Sequence, residues 1–247
     1  MTIWQVALVG DPQDLAFLGQ TFEFGSCKVL RDAQNSGYLY ESDSFHRCNS
    51  FQEVEQIAET ELATLSGILK LERDSRDALR YGSVYKSNQN GGRDIFVRIE
   101  ESAHLRDEVS AVVAARTGAE GNGVESPPRP PPRAAVLLAL SCVDAAVAKS
   151  LRLLSAPDVK SWVNLYRLHE VIEADVGGRH TLEKLSWGSA EDLRRFKHSA
   201  NSVQVGGDRS RHGNEWQAAP KNPMTLSEAE AYVRYIVQSW LASKGAR

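Results

Sequence analysis

One stretch of the sequence concentrates basic, imidazole and amide side chains. In chain order it contains Arg194, Arg195, Lys197, His198, Asn201, Arg209, Arg211 and His212. Guanidinium groups bind phosphate oxygens through paired donors, and an imidazole exchanges a proton near neutral pH. A metal-independent ribonuclease needs a base at the 2′-hydroxyl, an acid at the leaving oxygen and a cation on the phosphate. The stretch contains candidates for all three roles.

The roles follow from residue type. The catalytic candidates are His212, His198 and Arg211, and the substrate-binding candidates are Arg209, Asn201, Lys197 and Arg195. Gly206 and Gly207 would let the backbone turn sharply or approach a ligand closely. No metal ligand set or cofactor motif accompanies them, so we predict neither a metal nor a cofactor.

A structural interpretation of the same residues is also open. The cations from Arg194 to Lys197 would then form the solvated face of a helix, Asn201 would end that helix, and Arg209 would pair with a neighbour. His169 is expected to be a satisfied histidine between helices, although it could also approach the loop. For the pair Arg211 and His212 next to a glycine, function and structure are equally favoured.

The C-terminal half is predicted to be helical, with a long loop before its last helix. Apolar residues recur at helical spacing in two stripes, 136–154 and 159–176, and two further helices are expected to begin at Ser189 and Thr225. Such stripes are buried against one another most simply in a four-helix bundle, whose tryptophans would pack in the core. The connection over 200–224 exceeds the usual loop length and is therefore a candidate functional segment.

The N-terminal half alternates short strand and helix patterns. A Ser-x-x-Glu capping box at Ser50 opens a helix of about five turns. The other predicted elements are strands at Ile3–Val9, Tyr38–Tyr40, Tyr81–Lys86 and Asp94–Ile99 and helices at Leu15–Phe22 and Leu105–Ala115. Residues 117–133 are rich in Gly and then in Pro, which is typical of an extended linker.

The predicted fold class is α+β, with a small N-terminal α/β module and a C-terminal four-helix bundle. The predicted division is a module over 1–116, a linker over 117–133 and a helical domain over 134–247. The role of the module is not apparent from its sequence. A protein partner could dock on it or on the Pro-rich linker, although a plain spacer is the simpler interpretation of the linker.

Charge and cysteine content restrict the class of protein. The net charge is −3, but residues 134–247 carry 15 basic and 12 acidic side chains, which leaves 29 − 15 = 14 basic and 32 − 12 = 20 acidic elsewhere. An anionic partner is therefore expected at the C-terminal half. Three scattered cysteines and no apolar leader or spanning segment predict a cytoplasmic protein without a membrane partner.

The C-terminal half resembles a known group of helical domains. Three strings carry the resemblance, Phe196–Asn201, Gly207–Gly213 and Pro220–Thr225. They are similar to HEPN-like (higher eukaryote and prokaryote nucleotide-binding) domains of uncharacterised bacterial proteins, over about residues 134–243. The resemblance implies a homodimer that binds RNA or nucleotides, or a metal-independent ribonuclease of a toxin or phage-defence system.

The sequence departs from that family at its catalytic signature, an Arg followed four to six residues later by His. In this chain only Arg98 and His104 have the spacing, and they lie in the N-terminal module. Two hypotheses follow. Either the catalytic geometry is rebuilt around Arg211 and His212, or the protein is a non-catalytic regulatory or interaction module with a structural Arg/His loop.

Overall fold

The computed structural model describes residues 3–87, 92–97, 131–211 and 220–246. One antiparallel sheet occupies the N-terminal half and helices dominate the C-terminal half, which confirms the α+β class. The strands are β1 (Ile3–Val9), β2 (Cys27–Arg31), β3 (Tyr38–Ser42), β4 (Arg80–Ser87) and β5 (Arg93–Phe96). The helices are α1 (Pro12–Thr21), α2 (Phe51–Arg73), α3 (Arg133–Val143), α4 (Ala145–Leu154), α5 (Trp162–Asp175), α6 (Arg179–Lys184), α7 (Ala190–Asn201), α8 (Val203–Gly206) and α9 (Leu226–Ser243).

The five strands lie in the order β2-β3-β1-β4-β5, with β1 at the centre. Trp4, Val6 and Leu8 alternate along β1 and are buried on one face of the sheet. Strand β2 was not predicted. It is a short edge strand in which Val29 is the one buried residue, so its sequence shows little alternation.

Helix α2 connects the sheet to the C-terminal helices. Ser50 caps its first turn, as predicted, by accepting a hydrogen bond from the Glu53 amide at 3.3 Å. Tyr40 on the sheet donates to Glu61 of this helix at 2.8 Å. On another side α2 packs closely on α4, because a Cβ added to Gly67 would lie 2.0 Å from the carbonyl oxygen of Leu151.

The first C-terminal stripe forms two helices, not one. Asp144 separates α3 from α4, and its carboxylate accepts hydrogen bonds from the amides of Ala146 and Val147 at 2.9 and 3.1 Å. The carboxylate thus caps a new helix within the apolar run. The predicted starts at Ser189 and Thr225 are confirmed, and the latter forms a complete capping box with Glu228.

Buried apolar residues of both halves form one contiguous core. The predicted helix Leu105–Ala115 and most of the Pro-rich linker lie outside the described residues, so the division into module, linker and helical domain stays a prediction. Across the part of the chain that is described, no helix combines the length and apolarity needed to cross a bilayer.

Candidate functional site

The predicted site residues lie on α7, on the loop after it and beside α5. Tyr166 lies three and four residues before His169 and Glu170, and Glu173 lies four and three residues after them, so all four share one side of α5. Phe196 of α7 stacks on Tyr166 with ring centroids 5.8 Å apart. This packing sets the α7 side chains and the loop against the polar residues of α5.

Arg211 is the most firmly positioned of the predicted catalytic residues. Its guanidinium donates to Glu170 Oε1 at 2.8 Å and to Asn201 Oδ1 at 3.5 Å, and it lies 4.0 Å from the ring centroid of Tyr166. Its backbone amide donates to the Ala200 carbonyl at 2.9 Å. The structure thus brings Arg211 and Asn201 together and orients the guanidinium by contacts on both helices.

The two predicted histidines differ in what the structure shows of them. His198 lies half-buried in the last turn of α7, one helical turn before Asn201. His212 falls outside the described residues, so its distance to His198 is not tested. Asn201 is the last residue of α7, as the structural interpretation also expected.

Lys197 is engaged by a carboxylate of α5. Its ammonium lies 2.5 Å from Glu173 Oε2, and the same oxygen lies 3.3 Å from Nδ1 of His169. Lys197 and Glu173 are both about one-fifth exposed, so this pair is partly shielded from solvent. Neutralisation by Glu173 reduces the charge that Lys197 offers to a substrate.

His169 is fully buried among aromatic rings of α5, α7 and α9. Phe196 and Tyr232 lie 5.3 and 6.4 Å from it, centroid to centroid. Burial and the nearby Lys197 charge lower the pKa of His169 to about 4, against the opposing effect of Glu173. The imidazole is therefore neutral at neutral pH, and its approach to Glu173 is not an ion pair. Neither ring nitrogen has a hydrogen-bond partner among the described residues, in contrast to the satisfied histidine that was expected.

Arg195 holds the chain at the start of α9. Its guanidinium donates to the carbonyl oxygens of Asn222 and Pro223 at 3.2 and 3.5 Å, and it contacts the Glu228 carboxylate at 3.4 Å. These contacts connect α7 to the capping box of α9. They give Arg195 a structural role within the protein, whatever it does towards a substrate.

Arg209 is the most open of the predicted substrate-binding cations. It ends a 3₁₀ turn, Gly207–Arg209, in which Gly207 has a φ of +56°. Glycine adopts this conformation without strain, which is the role expected of it. Within the described residues Arg209 makes no ion pair, so the pairing that the structural interpretation expected is absent there.

Sequence analysis missed the acidic partners of these cations. Glu173 lies 24 residues from Lys197 and Glu170 lies 41 residues from Arg211, so no local pattern links them. The regular spacing on α5 was the one available signal. Among the described residues, no three His, Cys, Asp or Glu side chains converge closely enough to hold a metal ion.

Comparisons with protein-family models, with curated proteins and with solved structures find no significant match. The resemblance to HEPN-like domains therefore stays a prediction.

Proposed function

We propose that the protein binds RNA through the end of α7 and the loop that follows it, and that it acts in the cytoplasm as a homodimer. The observation that carries the proposal is the orientation of the Arg211 guanidinium by Glu170, Asn201 and Tyr166. A guanidinium held in one orientation loses less freedom when it binds a phosphate.

Glu170 does not prevent this role. It is about half exposed, and exposed ion pairs contribute only about 1 kcal/mol or less. A phosphate can therefore displace the carboxylate from Arg211 at small cost. Arg209, two residues earlier and exposed, would meet a neighbouring phosphate of the same strand.

RNA cleavage is the catalytic form of the same proposal. His198 and His212 would exchange protons with the 2′-hydroxyl and the leaving oxygen, while Arg211 stabilises charge on the phosphate. Wild type and the Arg211→Ala/His212→Ala variant are incubated with mixed cellular RNA in EDTA. Cleavage by wild type alone supports a metal-independent ribonuclease at this loop. Binding without cleavage supports RNA binding only.

A second candidate function is the regulatory or interaction module with a structural loop. It is favoured by the ion pairs and carbonyl contacts of Arg195, Lys197 and Arg211. Under this alternative, Arg211→Ala lowers the midpoint of thermal unfolding and leaves RNA binding unchanged. Under the RNA-binding proposal the main loss is in RNA affinity.

Glu170→Gln separates the two functions. If RNA phosphates compete with Glu170 for Arg211, removing the carboxylate charge should tighten binding of a fluorescent RNA several-fold at low salt. Glu183→Gln is the matched control. Glu183 pairs with Arg179 on α6, so this substitution removes the same charge away from the proposed site. Equal RNA affinity for wild type, Glu170→Gln and Glu183→Gln would refute the assignment of Arg211 to phosphate.

A further inference from the structure

An open groove of about 890 Å³ lies where the first turns of α5 and α9 meet α8. This volume lies in the range of small-ligand sites, roughly 300–1,000 Å³. Most of the exposed wall is apolar. The residues that line the groove include Asp158, Lys160, Trp162, Val205, Arg209 and Met224.

Two helix N-termini face this groove. Their capping residues, Ser161 for α5 and Thr225 for α9, both line it. A capping side chain satisfies one amide of the first turn, and the N-terminus as a whole carries partial positive charge. The first turn of α5 contains no acidic residue, so its positive end is not neutralised within the helix.

The indole N–H of Trp162 is a second and independent feature of the groove. Trp162 is 4% exposed, and its Nε1 donates to no atom of the described residues. The edge of the ring that carries this nitrogen lies beside Gly206, another lining residue: a Cβ added there would be 3.2 Å from Cδ1 and 3.5 Å from Nε1. The nitrogen is therefore available to the groove, and an acceptor atom bound there would pair with it.

Charged side chains at the rim are mainly cationic. Arg209 is exposed without an ion pair to any described residue, and Lys160 is 62% exposed beside Glu230. Asp158 is the one carboxylate among the described lining residues, and it accepts a hydrogen bond from the Ser161 hydroxyl at 3.2 Å. Donors on separate elements thus converge on one apolar groove.

We infer that this groove binds a small phosphate monoester with an apolar or aromatic body. The phosphate oxygens accept from Trp162, Arg209 and the first-turn amides of α5, and the body packs on Val205 and Met224. Donors from separate elements suit the three oxygens of a phosphate better than a planar carboxylate. This function goes beyond RNA binding and does not require RNA.

The test follows the Trp162 indole N–H by NMR. The chain has five tryptophans, and Trp162→Phe identifies the resonance of residue 162. The probes are phenyl phosphate, inorganic phosphate, benzoate and phenol. We expect phenyl phosphate to move this resonance and to bind at least about tenfold more tightly than the other three probes, since it alone combines the charged head with the apolar body.

Arg209→Ala should weaken phenyl phosphate binding by about tenfold, the effect of losing one charge-assisted contact. Arg194→Ala is the matched control, because it removes an exposed cation of α7 that does not line the groove. The other tryptophan resonances report whether each variant is folded. An unmoved Trp162 resonance, equal affinity for inorganic phosphate, or equal binding by wild type and Arg209→Ala would overturn the inference.

This test is separable from the proposed RNA function. Arg211→Ala should lose RNA binding and keep phenyl phosphate binding, because Arg211 is not among the described residues that line the groove. Arg209 belongs to both proposals, so the distinction depends on Arg211: loss of both activities in that variant, with its tryptophan resonances unchanged, would contradict binding in the groove without Arg211.

Discussion

Replacement of His169 by Phe should reduce the loss of folding stability that the protein shows as pH falls below about 6.5. His169 is fully buried and its pKa is lowered from 6.5 to about 4, chiefly by burial and then by Lys197. Between these two values the unfolded chain binds a proton that the folded protein does not. The stability contributed by the neutral imidazole is therefore complete above about pH 6.5 and is lost progressively as pH falls towards 4.

The magnitude follows from proton linkage. A pKa difference from 6.5 to about 4 changes the free energy of unfolding by about 2 kcal/mol between pH 7 and pH 5. Asp32, Asp144 and Glu228 have lowered pKa values, so their contributions are lost at more acidic pH. Between pH 7 and pH 5 the change in free energy of unfolding therefore reports His169 and not these three carboxylates.

The assay is urea unfolding at both pH values for wild type and His169→Phe. From pH 7 to pH 5 the free energy of unfolding of wild type should fall by about 2 kcal/mol more than that of the variant. At neutral pH the two free energies should differ by about 1 kcal/mol, since Phe fits an aromatic site and has no polar nitrogens. The titratable groups beside His169 are Glu173, Lys197, Tyr166 and Tyr232 among the described residues, and all four stay in the variant.

His180→Gln is the matched control, because His180 is exposed on α6. It should reproduce the pH dependence of wild type. An equal loss of stability in wild type and His169→Phe would refute the reasoning, because it would show that the buried imidazole does not resist protonation.

Three further predictions concern packing and capping. Gly67→Ala should destabilise the protein by about 3 kcal/mol or more in urea unfolding, because the new Cβ would lie 2.0 Å from the Leu151 carbonyl; Gly37→Ala, with open space around it, should change little. Thr225→Ala should cost about 1 kcal/mol by the same assay through loss of the capping box. Lys244→Met should lower the free energy of unfolding by about 2 kcal/mol and the thermal midpoint by several degrees, because it leaves the partly buried carboxylates of Asp144 and Asp175 without their cation. Full retention of the midpoint would contradict this.

The sequence predicted best those elements in which local and long-range signals agree. The sequences of helices α2 and α9 each open with Ser/Thr-x-x-Glu followed by an apolar stripe, and both helices begin where predicted. The stripe over 136–154 was predicted as one helix and is two, because the sequence does not show whether an acidic residue in an apolar run, here Asp144, caps a new helix. Helix α8 has four residues, which is too short for a periodic pattern.

The candidate site was predictable in its residue types but not in its pairings. The sequence placed Lys197, Asn201 and Arg211 in one candidate segment, and the structure brings Arg211 and Asn201 together. Their carboxylate partners come from α5, and only the packing of α5 against α7 brings them together. Nothing in the local sequence indicated that the Trp162 indole would lie beside Gly206 with no hydrogen-bond partner among the described residues.

The close approach of Gly67 to Leu151 has a consequence for how fast the chain folds. The two residues are 151 − 67 = 84 positions apart, and closing a flexible loop of that length costs about 4 kcal/mol of chain entropy. Local hairpins and single helices can form before this cost is met, whereas α2 and α4 can dock only after it. We therefore expect docking of these two helices to be the slow step of folding, with a rate sensitive to any change in the length of the intervening chain.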